Sequence, residues 1–446
     1  MQDIRTRAAT LKQELLDFVL DAEDDGAIAL EQFSAAQLVK QNYPDMNRQT
    51  FVVDRFLVEG RVGDDSPIDC FIQAHADLSA DDRTLLTGWK RAFMGLFAIT
   101  QLFDDHVELR NWTTDKSYTV YPLDDPQWAA MARLKENDIL LTQIAPLTDQ
   151  DWMMFGPWVS LGRLGKPKLA VAIGNFKNNY RAYLYSDAPE LLEEAWRSVE
   201  RYHADFVEFF GSDEVTLSGK ELGQKLGELQ QQTAQRSLKA AGIDENQSFD
   251  DIAAAAGVTD EELDEAASAL GTDQKTMRRL MERSTKPQMA SPEIALPPHL
   301  KHEPQVTALS HPRWGQVFLT SYPKLTTVLE AFQPDDADMI SSAESALRRC
   351  MEDGDMNAYL WHRLAETYPK PLEQILRRVS GNSTFQIAQD LDTWLTEQNK
   401  PLTPDLPETA SVPLHLHTLF QDAVLEVNPS SSKGKTKKKT GTGFQR

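Results

Sequence analysis

The sequence predicts an α+β multidomain protein that is mostly helical, with one small antiparallel β-barrel-like domain and a disordered basic C-terminal tail. Apolar residues recur at helical spacing on both sides of a segment, 94–187, in which short β-branched and aromatic runs alternate with turn signals. A length of 446 residues exceeds what one hydrophobic core usually organises. From residue 428 the chain is lysine-rich and of low complexity, which is typical of a disordered end.

Residues 1–93 are predicted to form a helical N-terminal region. Leu11 and Leu15 fall on one face of a first helix. Ser79 followed by Asp82 has the spacing of a capping box, in which each side chain satisfies the other residue's backbone N–H. A helix is therefore expected to begin at this point.

Residues 94–187 are predicted to form five short antiparallel strands. In the run HVELRNW, Val107, Leu109 and Asn111 share one face of a strand. The segment and its edges hold five of the nine tryptophans: Trp89, Trp112, Trp128, Trp152 and Trp158. Such a concentration indicates either a stacking surface or a small aromatic core, and the core is the simpler interpretation.

The rest of the chain divides by composition. Residues 188–285 are predicted to be helical, and residues 286–312 hold six prolines and are typical of a linker. Residues 313–427 are predicted to form a helical C-terminal region, and residues 428–446 the disordered basic tail.

The net charge of −22 is distributed unevenly. Residues 156–186, 274–289 and 431–446 carry +5, +4 and +6, which leaves −37 on the remaining chain. Basic clusters attract phosphates or acidic partners, whereas an acidic bulk repels polyanions elsewhere. The three basic segments are therefore the places where a ligand is expected.

Residues 248–283 contain the clearest motif. Ala267, Gly271 and Leu280 have the spacing of two short helices that approach each other across a glycine turn, and this half of the segment resembles a DNA-binding helix-turn-helix motif. Thr272 replaces the apolar residue usual after the glycine. The second helix would present basic and amide side chains to a groove: Gln274, Lys275, Arg278, Arg279 and Arg283. The alternative is a three-helix packing unit that binds no nucleic acid.

The segment 165–185 interleaves cations with aromatic rings. On a β platform this composition suits single-stranded nucleic acid, because bases stack on rings while cations meet phosphates. The candidate nucleic-acid-binding residues here are Lys166, Lys168, Phe176, Lys177, Tyr180 and Arg181. The alternative is an ordinary strand pair whose rings face the core.

Signals for an enzyme are weaker. His299, His302 and His311 with Glu303 could bind a divalent metal, but the Pro-rich segment around them does not fix their geometry. One Glu-x-x-His pair, at 200 and 203, has no second copy, although carboxylate-bridged di-iron bundles need two. No catalytic residue, metal site or cofactor is therefore predicted.

The sequence favours a non-enzymatic regulatory or adaptor protein that binds nucleic acid, DNA or RNA. Short apolar runs and only two cysteines, Cys70 and Cys350, predict a soluble cytoplasmic protein without a membrane span. One alternative is a protein-protein assembly or chaperone-like factor whose acidic surface meets a basic partner. The other is a metal-dependent enzyme that uses the histidine cluster.

Overall fold

The computed structural model describes residues 1–38, 48–240, 289–291 and 294–427. The chain divides into two compact units, one formed by Met1–Leu192 together with the chain from Pro413 onward, the other by Glu193–Val412. Both contain helices and strands, so the predicted mixture of α and β structure is confirmed.

The first unit begins with five helices. They are α1 (Gln2–Leu20), α2 (Asp24–Leu38), α3 (Arg48–Glu59), α4 (Pro67–Ala74) and α5 (Ala80–Trp89). Ser79 caps α5, and its hydroxyl accepts from the backbone N–H of Asp82 while the Asp82 carboxylate accepts from the Ser79 N–H. The predicted capping box is confirmed. Ser66 and Asp69 form a second box at α4.

Five strands follow. They are β1 (Phe93–Leu102), β2 (Val107–Asn111), β3 (Ser117–Tyr121), β4 (Ile139–Pro146) and β5 (Asp151–Gly162), with helix α6 (Asp125–Met131) between β3 and β4. They pair in the order β1-β2-β3-β5-β4, and β4 pairs again with β1. We call this arrangement the five-strand ring. The expectation of purely antiparallel pairing is wrong at one place: β3 and β5 are parallel. The chain reverses direction from β3 to β4 and again from β4 to β5, so β5 runs in the direction of β3.

The inside of the five-strand ring is a packed apolar core. Phe93 has its ring centroid within 6 Å of those of Tyr118 and Trp152, in edge-to-face geometry. Val107 and Leu109 are fully buried, as the alternation in β2 predicts. Tryptophan thus supplies core volume here rather than a stacking surface.

A buried charged pair joins the first helices to the strands. Lys12 Nζ lies 2.9 Å from Asp54 Oδ1 and 5.0 Å from the Phe155 ring centroid. Asp54 is 3% exposed, and its burial raises the pKa of its carboxyl more than Lys12 lowers it. Gly156 on β5 lies beside this carboxylate, and a Cβ there would be in ordinary contact with Asp54 Oδ2, at 3.4 Å.

Two helices cover the five-strand ring on one side. Helix α7 (Lys166–Asn179) follows β5 and is continued by a 3₁₀ turn at Arg181–Tyr183. The last described helix of the chain, Leu414–Val427, packs with α7 in one apolar cluster, to which it contributes Leu416 and Leu419. The predicted helical region 313–427 is therefore divided, since its last helix belongs to the first unit.

The second unit consists of a small sheet and a group of helices. In chain order the elements are α8 (Pro189–Phe210, which enters this unit at Glu193), β6 (Glu214–Leu217), α9 (Gly219–Ala240), β7 (Met289–Ala290), a 3₁₀ turn (Pro298–Leu300), β8 (Val306–His311), β9 (Gly315–Leu319), α10 (Tyr322–Glu330), α11 (Ala337–Glu352), α12 (Ala358–Thr367), α13 (Pro369–Val379), α14 (Ile387–Glu397) and β10 (Val412–Pro413); Leu414–Val427 is α15. Strands β6, β8 and β9 form an antiparallel sheet with β8 in its centre.

The strand β8 lies inside the segment 286–312 that composition predicts to be a linker. Its first five residues are buried. Pro304 and Pro312 lie on either side of the strand and leave its backbone donors free to pair with β6 and β9. A prediction from proline content therefore missed a strand that is central to the second unit.

Candidate functional site

The basic aromatic segment 165–185 is helical, which corrects the expectation of a β platform. Gly165 precedes the first residue of α7, and Pro167 occupies its first turn, where a missing N–H costs nothing. Leu169, Ile173 and Phe176 then recur at helical spacing and are buried. Ala170 and Ala172 between them favour the helix over a strand.

The two rings proposed to stack on bases lie in the core of the first unit. Phe176 and Tyr180 are each 2% exposed, and their ring centroids lie 5.2 Å apart in a stacked geometry. The guanidinium of Arg55 lies 5.3 Å from the Tyr180 centroid and is held there by a bidentate pair with Glu59. Because their faces are already covered, these rings have no surface left for a base.

The cations of the segment lie near the two ends of α7, where Lys166 and Lys168 are exposed and Lys177 is half-buried. Lys166 Nζ lies 2.8 Å from Asp422 Oδ2 on α15, and this hydrogen bond raises the pKa of the Lys166 ammonium above its ordinary value. Lys168 is the third residue of the helix and is exposed. Lys177 lies in the last turn of α7, and Arg181 begins the 3₁₀ turn that follows.

A shallow groove runs between α7 and the strands beneath it. Its volume is about 250 Å³. Most of the lining is apolar: Leu96, Leu141, Leu161, Leu164, Val171, Ala172 and Phe176, with Lys168 and Asn175 as the polar members. We call it the α7 groove.

Val171 distinguishes the α7 groove from an ordinary surface depression. Its side chain is 64% exposed, although valine is a residue type most often found inside. Leu161 and Leu164 are half-buried, so the apolar lining continues from the floor to the rim. A contiguous exposed apolar surface bordered by polar residues is typical of an interaction site.

The residues of the α7 groove escaped sequence reasoning, which singled out only Lys168 and Phe176. A signal was present in the helical recurrence of Leu169, Ile173 and Phe176, with Val171 on a different face of the same helix. An apolar residue away from the buried face indicates a second contact surface when other apolar residues lie beside it in the fold.

The other predicted nucleic-acid-binding residues lie outside the described residues: Gln274, Lys275, Arg278, Arg279 and Arg283. The helix-turn-helix interpretation of 248–283 and the basic tail 428–446 therefore stay predictions.

The predicted histidine cluster separates in the structure. His299 lies in the 3₁₀ turn Pro298–Leu300, whereas His311 ends β8 and lies beside His203 of α8, with 6.4 Å between ring centroids. Within the part of the chain that the structure describes, no three His, Cys, Asp or Glu side chains are placed to hold a metal ion.

His203 contacts the hydroxyl of Ser310 on β8. His203 Nδ1 lies 3.3 Å from Ser310 Oγ, the spacing of a base and a nucleophile. Ser310 is 1% exposed, however, so a substrate cannot reach its hydroxyl. The contact is structural.

No protein-family model matches this chain, and neither do the curated proteins or the solved structures with which it was compared. None of the described helices combines the length and apolar character needed to cross a membrane.

Proposed function

We propose that this chain is a non-enzymatic adaptor that binds an acidic, amphipathic helical segment of a partner protein in the α7 groove. One observation carries the proposal: an exposed apolar groove has Lys168 in its lining and lies beside a helix that holds no acidic residue, in a chain of net charge −22. The partner segment would insert aliphatic side chains between α7 and the strands and direct its carboxylates to Lys168, the lysine that lines the groove.

The size and chemistry of the α7 groove favour side chains over a small molecule. Its volume of about 250 Å³ lies below the range of about 300–1,000 Å³ that is usual for small-molecule pockets. A helix that lies in an apolar groove needs room only for anchors spaced by three or four residues. Leu96 and Leu141 in the floor offer such anchors aliphatic contacts and no buried polar partner.

The same chemistry disfavours nucleic acid at this surface. Single strands bind where aromatic faces and arginines are open to bases, whereas Phe176 and Tyr180 are buried. Binding of DNA or RNA by residues 274–283 remains a separate proposal for a segment outside the described residues.

Charge selects the partner among proteins. Complementary charges raise the rate of association and reject partners of the wrong sign. The lysine-rich tail 433–439 would be repelled by Lys168, so it is a poor occupant of the α7 groove. We also propose a cytoplasmic location, which fits the unpaired thiols of Cys70 and Cys350.

A selection from a displayed library of helical peptides tests the proposal with no partner assumed. Peptides are selected on the full chain and counter-selected on the Val171→Glu variant, which places a carboxylate at the groove. We expect the enriched peptides to combine Leu or Ile at helical spacing with Asp and Glu. Loss of one buried aliphatic contact and the added repulsion should weaken their binding to Val171→Glu by at least about tenfold, measured by fluorescence anisotropy.

Val424→Glu is the matched control, because Val424 of α15 is 60% exposed but does not line the α7 groove. It should leave peptide affinity within about twofold, since it adds the same charge without removing a residue of the groove lining. Lys168→Glu should weaken the binding of acidic peptides and leave the binding of neutral peptides unchanged. Enrichment of basic peptides would contradict the proposal, and so would enriched peptides whose affinity does not change in Val171→Glu. Binding of single-stranded RNA that depends on Lys168 would also contradict it.

A further inference from the structure

The turn between β8 and β9 is organised by a histidine side chain. His311 Nδ1 accepts hydrogen bonds from the backbone N–H groups of Arg313, at 3.0 Å, and of Trp314, at 3.1 Å. An imidazole nitrogen accepts only when it carries no proton, so this geometry requires neutral His311 with its proton on Nε2. The side chain acts as a short polar residue does in an Asx turn.

The turn connects three parts of the second unit. Arg313 lies over the Trp196 ring of α8, 5.1 Å from its centroid. Trp314 packs against the apolar core built by the helices α10 to α14. Gly315, at the end of the turn, lies against Pro407. Loss of the two bonds to His311 would therefore loosen contacts with each of these parts.

The described carboxylates around His311, those of Glu200, Asp213 and Glu214, each lie within salt-bridge distance of an arginine. From α8, His203 faces its ring, and Glu200 lies 3.9 Å from Arg313 instead. Asp213 raises the pKa of His311, but its carboxylate also lies 2.5 Å from Arg363 Nη1 of α12.

The other polar groups around the His311 ring also have partners of their own. Glu214 lies 3.1 Å from Arg363. Tyr359 of α12 covers the His311 ring at 4.1 Å between centroids, and its hydroxyl accepts from Arg363 at 3.0 Å. The surroundings are thus arranged for an uncharged imidazole.

We propose that His311 is a pH-sensitive latch, whose protonation at Nδ1 replaces an acceptor by a donor and releases the turn 312–314. Burial, and then the neighbouring His203, lower the pKa of His311 below its ordinary value of 6.5. A histidine with a folded-state pKa below its unfolded value contributes stability that is complete above about pH 6.5 and is lost as the pH falls toward the folded value. Release is therefore expected on mild acidification and not on alkalinisation.

Hydrogen exchange of the full chain tests the latch directly. The measured quantity is the protection factor of the Arg313 and Trp314 amides between pH 7.5 and pH 5.0, with the intrinsic pH dependence of exchange removed. We expect wild-type protection to fall at least about tenfold as their acceptor is lost. In His311→Asn an amide oxygen replaces Nδ1 and does not titrate, so protection should stay constant over this range.

His203→Gln is the companion variant. It removes a neighbour that lowers the pKa of His311, so release should persist with its midpoint at higher pH. An equal loss of protection in wild type and in His311→Asn would overturn the latch. Nitrogen-15 spectra of histidine-labelled wild type decide the matter if His311→Asn does not fold. A proton on His311 Nδ1 at pH 7.5 contradicts the proposal, and a proton on Nε2 with a midpoint below 6.5 supports it.

Discussion

Replacing Gly315 by alanine should destabilise the second unit by about 2–5 kcal/mol. Gly315 has φ +71°, a left-handed conformation that costs an L-residue about 1–2 kcal/mol. Its Cβ would also stand 2.5 Å from Pro407 Cβ and 2.9 Å from Thr409 Oγ1, so the close-packed turn would have to shift. Urea unfolding of the full chain, followed by exchange of amides in β8 and β9, measures the change.

Gly381→Ala separates the two causes. Gly381 lies in the same unit with φ +72°, but a Cβ there meets no atom within 4 Å. It should lose only the conformational part, about 1–2 kcal/mol. Equal losses in the two variants would show that contact with Pro407 is unimportant.

Replacing Trp361 by alanine should cost the second unit about 3–5 kcal/mol. Its ring is fully buried in the core of α10 to α14 and meets Trp394 edge to face, with centroids 5.9 Å apart. Alanine would leave a cavity among leucines that are themselves fully buried. A fall in the midpoint of chemical unfolding, with the first unit as internal reference, checks the value.

Trp361→Phe is the informative comparison. The indole N–H of Trp361 is buried and has no hydrogen-bond partner among the described residues. Phenylalanine fills part of the site and removes this unpaired donor, so the loss should be only about 1–2 kcal/mol. A loss as large as that of alanine would mean that the N–H has a partner in solution, such as a water molecule.

Local signals in the sequence identified much of the structure. The Ser79–Asp82 spacing correctly predicts the start of α5, and the alternation of Val107 and Leu109 correctly predicts the buried face of β2. Both features depend on neighbours a few residues away. Such interactions can be inferred from a single sequence because they need no tertiary contact.

The errors arise where composition was weighed above periodicity. Tyrosine and phenylalanine suggested strands in 165–185, whereas the spacing of Leu169, Ile173 and Phe176 is helical. Proline content suggested a linker at 286–312, although Val306–His311 holds no proline. In both places the order of the residues carried more information than their kinds.

The candidate site itself depends on contacts that a single sequence does not reveal. Leu96, Leu141 and Val171 are far apart in the chain and meet only once β1, β4 and α7 are packed. The approach of His203 to His311 likewise spans more than 100 residues. The basic composition of α7 could be predicted, but the aliphatic groove beside it could not.

The return of α15 to the first unit has a consequence for how the protein is made. A ribosome completes residues 193–412 before it synthesises Leu416 and Leu419, which cover α7. The apolar surface of α7 in the first unit therefore stays partly uncovered during synthesis until the residues of the inserted unit have been made. A shortened chain that stops at residue 192 would keep this surface uncovered, and one that joins residues 1–192 directly to 413–446 would restore its covering helix.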